Sequence, residues 1–159
     1  MDIWKIDKWK TYYANKNYRS GIKIDYDNGV NEEVRCAISC LIDWLRKNYN
    51  FPIRVRIYVK KSSLVKARDG DLVPYLFFWP YNREDEPYIK LATGDFYKLK
   101  KKRGRDDALA TILTALLRNF THYFRWLNNI QLTPIGEERQ ATKYARLKLN
   151  EYKETREHS

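Results

Sequence analysis

The stretch Asp106 to Asn129 constrains the chain more than any other. Leu109, Ile112, Leu113, Leu116, Phe120, Phe124 and Leu127 recur at the spacing of one helical face. Asp106 and Asp107 stand at its start, where carboxylates suit the positive end of the helix dipole, and Asn128 and Asn129 close it. At about 100° per residue, Thr111, Ala115, Arg118, His122 and Arg125 fall on the opposite side. These side chains are small or polar, so that face should meet either water or a cleft. A long helix with one apolar and one polar side needs a partner layer, and the rest of the chain has to supply it.

A second helix is predicted from Asn31, a cap residue followed by Glu32 and Glu33. Its apolar stripe is Val34, Ile38, Leu41, Ile42, Leu45 and Tyr49, and Asn50 and Pro52 stop it. Ile53, Val55, Ile57 and Val59 alternate with Arg54, Arg56, Tyr58 and Lys60, the strongest strand signal in the chain. Leu72 to Trp79 and Tyr88 to Ala92 read as two further strands, and Ile22 to Tyr26 as a short extended piece. Asp69-Gly70 and Asn82 to Pro87 form turns. Thr133-Pro134 opens a last helix, whose stripe is Glu138, Ala141, Ala145, Leu149 and Tyr152. The expected fold class is α+β: an N-terminal helix, a small, mainly antiparallel sheet of three to four strands, then two C-terminal helices. One domain, 1–159, is expected, with 1–30 a less regular segment; 159 residues that are 43% hydrophobic suffice for a core.

The polar face of the central helix carries the chemistry. In HExxH, two histidines four residues apart project from one face and hold zinc, and the glutamate between them handles the proton of the bound water. Here the five positions are Arg118, Asn119, Phe120, Thr121 and His122. The window LLRNFTHYFRWLNN, with EERQATKYA downstream, resembles small bacterial and phage gluzincin-type metallopeptidase domains, whose helix reads His-Glu-Leu-Thr-His-Tyr-Phe-Gln-Trp. The likeness is specific at 120–126 and 136–145 and loose elsewhere. It implies a zincin-like fold. It puts Arg118 at the first ligand position, Asn119 at the catalytic base, His122 at the second ligand and Glu138 at the third. Zinc is the expected cofactor of intact relatives; for this chain no cofactor is expected, because the departures fall on the residues that activity requires. In zincins a strand edge beside the metal helix binds extended substrate by backbone pairing. The resemblance assigns that edge to Tyr88, Lys90, Ala92 and Gly94; the alternative is an ordinary sheet strand. With Glu138 in line with small inward-facing residues, Arg118 is the nearest candidate cation to neutralise it. His122 should then stay neutral.

The remaining residues supply the rival readings. Lys98, Lys100, Lys101, Lys102, Arg103 and Arg105 make the densest basic run, expected in a loop before the central helix. With a net charge of +11 it could bind anions and track phosphates; the alternative is a solvated loop. Trp4, Trp9, Tyr12, Tyr13 and Tyr18 could stack on bases or clamp the N-terminal segment onto the core. Cys36 and Cys40 read as reduced structural thiols. No apolar run reaches membrane-spanning length and no signal-peptide pattern is present, so a cytoplasmic protein without membrane contact is expected. Three functions compete: a pseudo-gluzincin that binds a peptide or protein without cutting it, a basic nucleic-acid-binding module, and an active zinc peptidase with a rearranged site. The last is weakest, because one His and one Glu do not supply three protein ligands and a base.

Overall fold

Val55, Ile57 and Val59 turn one side of a strand into the core while Arg56, Tyr58 and Lys60 stay half-exposed, and this strand is the middle of the sheet. The computed structural model describes residues 2–5, 20–82 and 85–157. After an N-terminal 3-10 turn (Ile3–Lys5), the order is β1 (Ile22–Tyr26), α1 (Glu32–Asn48), β2 (Val55–Lys60), β3 (Val65–Lys66), β4 (Leu72–Val73), β5 (Tyr75–Phe78), β6 (Tyr88–Ala92), α2 (Phe96–Arg103), α3 (Arg105–Leu127) and α4 (Pro134–Glu157). The main sheet has the order β1-β2-β6-β5, and β3 and β4 form a separate small hairpin. The α+β class holds: one helix lies among the strands near the N-terminal side, after β1, and the C-terminal helices follow the sheet.

Two details differ from expectation. The sheet is mixed rather than mainly antiparallel: β1 and β6 both run parallel to β2, and only β5 opposes its neighbour. The cause is connectivity. Helix α1 lies between β1 and β2 in the chain, and a crossover of that length returns the strand in the same direction. Alternation of apolar residues shows which face is buried, not which way the neighbour runs. The basic run is also not a loop. Residues 98–103 belong to α2, anchored by the buried Phe96 and the partly buried Leu99, three residues apart. Lysine is a good helix former, so an anchored lysine run readily becomes a turn of helix. Gly104, at φ 90°, then makes the sharp joint into α3.

Helix α1 is capped as predicted: the Asn31 Oδ1 accepts from the amides of Glu33 at 2.8 Å and Val34 at 3.3 Å. Its stripe is buried from Val34 to Tyr49. Helix α3 is the axle of the fold, packed against α4, α2, β5, α1 and the N-terminal turn. Ile112, Leu113, Leu116, Phe120, Phe124 and Leu127 are buried, and Leu109 is partly so. Asn129, with φ at 55°, turns the chain out of the helix. In α4, Thr133 Oγ1 caps the first turn by accepting from the Gly136 amide at 3.0 Å.

The N-terminal turn closes the core. Trp4 lies against Phe124 (ring centroids 5.0 Å apart) and Tyr49 (5.2 Å), and its Nε1 donates to Thr121 Oγ1 at 3.3 Å. For Trp4, clamping is therefore the observed role; Trp9, Tyr12, Tyr13 and Tyr18 lie outside the described residues. No helix among the described residues is long and apolar enough to cross a membrane. Cys36 and Cys40 are free and exposed on α1.

Candidate functional site

The polar face of α3 looks into a groove. Thr111, Ala115 and Arg118 line a cavity of about 280 Å³, with Tyr75 of β5, Leu91 of β6 and Phe96 of α2 across from them. Farther along the helix, His122, Arg125 and Trp126 line a second hollow of about 140 Å³, opposite Phe77 and Trp79. Phe77 stacks on Trp79 and meets Trp126 edge-on, so this end of the groove has an aromatic wall. Arg118 stands at the end of the first cavity that is nearer the second.

The strand bordering this groove is β5, an outer strand of the sheet; β6 lies between β2 and β5 and is paired on both sides. The assignment of Tyr88, Lys90 and Ala92 to a cleft edge is thus corrected, and Gly94 falls past the strand. Strand order is set by which segments meet in space, and nothing in the pattern of 88–92 distinguishes an inner strand from an outer one. All four residues of β5 are half-buried, because one face lies on α3 and the other is open.

Arg118 and Glu138, the first and third ligand positions of the resembled motif, come together. The Arg118 Nη2 donates to Glu138 Oε2 across α3 and α4, and Nη1 donates to Thr142 Oγ1 at 2.6 Å. The pair is lopsided: the Arg118 side chain is 17% exposed and that of Glu138 63%. Glu138 was expected to be partly buried with the stripe of α4. It is exposed because at that level the stripe faces the polar side of α3 rather than its apolar side. An ion pair open to water on one side is worth at most about 1 kcal/mol. A double-mutant cycle of Arg118→Ala and Glu138→Ala should therefore give a coupling of about 0.5–1 kcal/mol by chemical denaturation; a coupling above about 3 kcal/mol would mean a buried, structural pair.

His122 is held neutral. Burial, then the neighbouring Arg125 and Arg118 guanidinium groups, push its pKa down from 6.5 to about 4. Arg125, itself 8% exposed at the side chain, donates from Nη2 to His122 Nδ1 and from Nη1 to Gln140 Oε1 at 3.1 Å. Since a guanidinium only donates, Nδ1 must accept, and the imidazole proton is fixed on Nε2. The resembled motif has Gln at this place, which can accept from a histidine N–H and leave the other nitrogen free for a metal. Arg125 enforces the opposite tautomer. The unfolded imidazole takes a proton below about pH 6.5, but the folded one does so only near pH 4. Stability is thus intact above pH 6.5 and falls as the pH drops through that window. We expect the wild type to lose about 2 kcal/mol more than His122→Gln between pH 7 and pH 4, a figure discounted for partial exposure. Parallel denaturation curves for both proteins would contradict it.

Asn119, which the resemblance sets at the catalytic-base position, is buried. Its Nδ2 donates to the Ala115 carbonyl at 2.8 Å, back along its own helix, and its Oδ1 has no hydrogen-bond partner among the described residues. An amide does not take up a proton from water at this position. The residues present do not fit zinc: the first ligand position of the resembled motif holds a guanidinium here, and His122 has its proton on Nε2. Among the described residues no three His, Cys, Asp or Glu side chains form a metal-binding group.

The basic residues Lys98, Lys100, Lys101, Lys102, Arg103 and Arg105 are all exposed. Lys100 and Arg105 both reach Glu33 of α1 at 3.0 Å, so part of this charge staples α1 to the helical joint. Reading the sequence missed the role of Arg125, although it lies three residues after His122, and missed the aromatic wall from β5. The i, i+3 spacing was the available signal for the first; the second needed the strand order.

Comparison of the chain with protein-family models, with curated proteins and with solved structures gives no match.

Proposed function

We propose that this chain is a non-catalytic, zincin-like domain, a pseudo-gluzincin acting in the cytoplasm, that binds an extended peptide or protein segment along β5 and across the polar face of α3. The observation that carries the reading is the Arg118–Glu138 pair. Two positions that the resembled motif uses for one metal are adjacent across two helices, and a fixed positive charge stands there instead. The groove supports the rest. Strand β5 is the last in its sheet among the described residues, so its outer backbone groups are free to take another strand. The apolar cavity beside Tyr75 and the aromatic hollow beside Phe77 lie two residues apart along β5, the spacing at which successive same-face side chains of an added strand would enter them.

The test is an amide-resolved NMR titration with pools of extended heptapeptides. Shifts should concentrate on Tyr75 to Phe78 and on 118–126, and none of the peptides should be cut. Absence of shifts with every pool would sink the reading. The same spectra test the nucleic-acid alternative, which the exposed cations of α2 support: single-stranded oligonucleotides would then shift 98–105, with an affinity that falls steeply with salt.

A further inference from the structure

The geometry points to Arg118 as the receptor for the C-terminal carboxylate of a bound peptide, with Glu138 as a built-in stand-in that the ligand displaces. The inference rests on the peptide-groove reading and specifies its ligand. Arg118 is the fixed member of the pair: its stem is covered, its Nε is buried, and Thr142 holds Nη1. Glu138 is the loose member, 63% exposed in the first turns of α4, with water ready to solvate it when it swings away. Its carboxylate already shows which chemistry the guanidinium takes there.

Arg118 is paired with one carboxylate, that of Glu138. With Glu138 turned out, the guanidinium loses that single counter-charge, and one carboxylate of a ligand can take its place. The cavity that Arg118 borders is lined by Tyr75, Leu91, Phe96, Leu99 and Ile112, and Asp95 also lines it. It therefore suits an apolar side chain and repels a second acidic one. A C-terminal residue meets both demands at once, because its carboxylate and its side chain leave the same Cα. The backbone that precedes it can then pair with β5. The net charge of +11 draws an anionic chain end toward this surface.

The experiment is fluorescence polarisation with fluorescein-labelled hexapeptide pools. They are degenerate in Ser, Thr, Gln, Ala and Val except for a last residue of Leu, Ile, Val or Phe. One pool ends in the free acid and one in the amide, and a third amide pool carries one internal Glu. The free-acid pool should bind about tenfold more tightly than the amide pool, the value of one good charge-assisted contact. Glu138→Gln, an exposed change that should not disturb folding, should widen that ratio several-fold by removing the competitor. Arg118→Gln should abolish the ratio while leaving residual binding by the amide pool. Equal binding of acid and amide would overturn this inference alone. So would an internal-Glu amide pool that binds as tightly as the free acid. Binding by none of the pools would overturn the peptide groove with it.

Discussion

Asp2→Ala is expected to cost about 3 kcal/mol of folding stability, far more than a change at an exposed terminal residue should. The reason lies in Lys148. Its side chain is fully buried on α4, yet its Nζ donates to Asp2 Oδ2 at 2.6 Å and lies 3.5 Å from Glu151 Oε2. The rings of Tyr49 and Trp4 flank the ammonium at 4.9 and 5.5 Å, which adds cation–π attraction. Asp2 is thus the main counter-charge of a cation that water does not reach. Removing it leaves that charge buried and under-compensated, whereas Asp2 and Glu151 are partly open to water and tolerate the loss of the cation. Lys148→Met, which fills the same space without charge, should therefore cost about 1 kcal/mol or less. Urea denaturation of the two variants reads the difference. A near-neutral Asp2→Ala would mean that the N-terminal turn is held by Ile3 and Trp4 packing alone.

The second large effect is at Gly94. A methyl group there would stand 2.6 Å from the Ser63 amide nitrogen, 2.7 Å from the Ser62 carbonyl carbon and 2.8 Å from the Lys61 carbonyl oxygen. All three are backbone atoms, held where Gly94 N donates to Ser62 O and Thr93 N to Lys60 O, both at 2.9 Å. No rotamer change relieves that overlap, so one of the two chains must move. Gly94→Ala should cost about 3 kcal/mol, the scale of overpacking against a rigid wall. Ser63, Thr93 and Asp95 line the apolar cavity, so the shift should also weaken peptide binding there. Gly104→Ala is the useful contrast: nothing lies within 4 Å of its added carbon, and only its φ of 90° resists the change. If Gly94→Ala were as well tolerated as a surface substitution, the chain from 61 to 63 would have to be far softer than its hydrogen bonds imply.

Elements that announce themselves by periodicity were legible in the sequence. The stripe of α3, the Asn31 cap of α1, the alternation of β2 and the Thr133-Pro134 start of α4 each depend on residues close in the chain. What escaped depends on residues far apart. The parallel direction of β1 and β2 follows from the α1 crossover, and β5 stands at the edge because β6 lies between it and β2. Helix α2 was hidden because its charge is conspicuous and its anchor, Phe96 with Leu99, is only two side chains. In the site, Arg118 against Glu138 was foreseen from the resemblance. The exposure of Glu138 was not, since a helical stripe does not reveal where its facing wall ends. The hold of Arg125 on His122 needed the donor inventory of a guanidinium as well as the spacing.

We propose that Arg118 and Arg125 keep metal out of the positions that the resembled motif uses for zinc. Elemental analysis of the wild type and of the R118H/R125Q variant, each equilibrated with zinc and dialysed, tests it most directly. The first substitution restores a nitrogen ligand four residues before His122. The second offers an acceptor for the Nδ1 proton, which would free Nε2, and Glu138, already in contact with Arg118, would be the third ligand by the resemblance. Wild-type protein is expected to hold no stoichiometric zinc, and the double variant about one equivalent, lost again on adding Glu138→Ala. Stoichiometric zinc in the wild type, or a folded R118H/R125Q protein that stays metal-free, would contradict it.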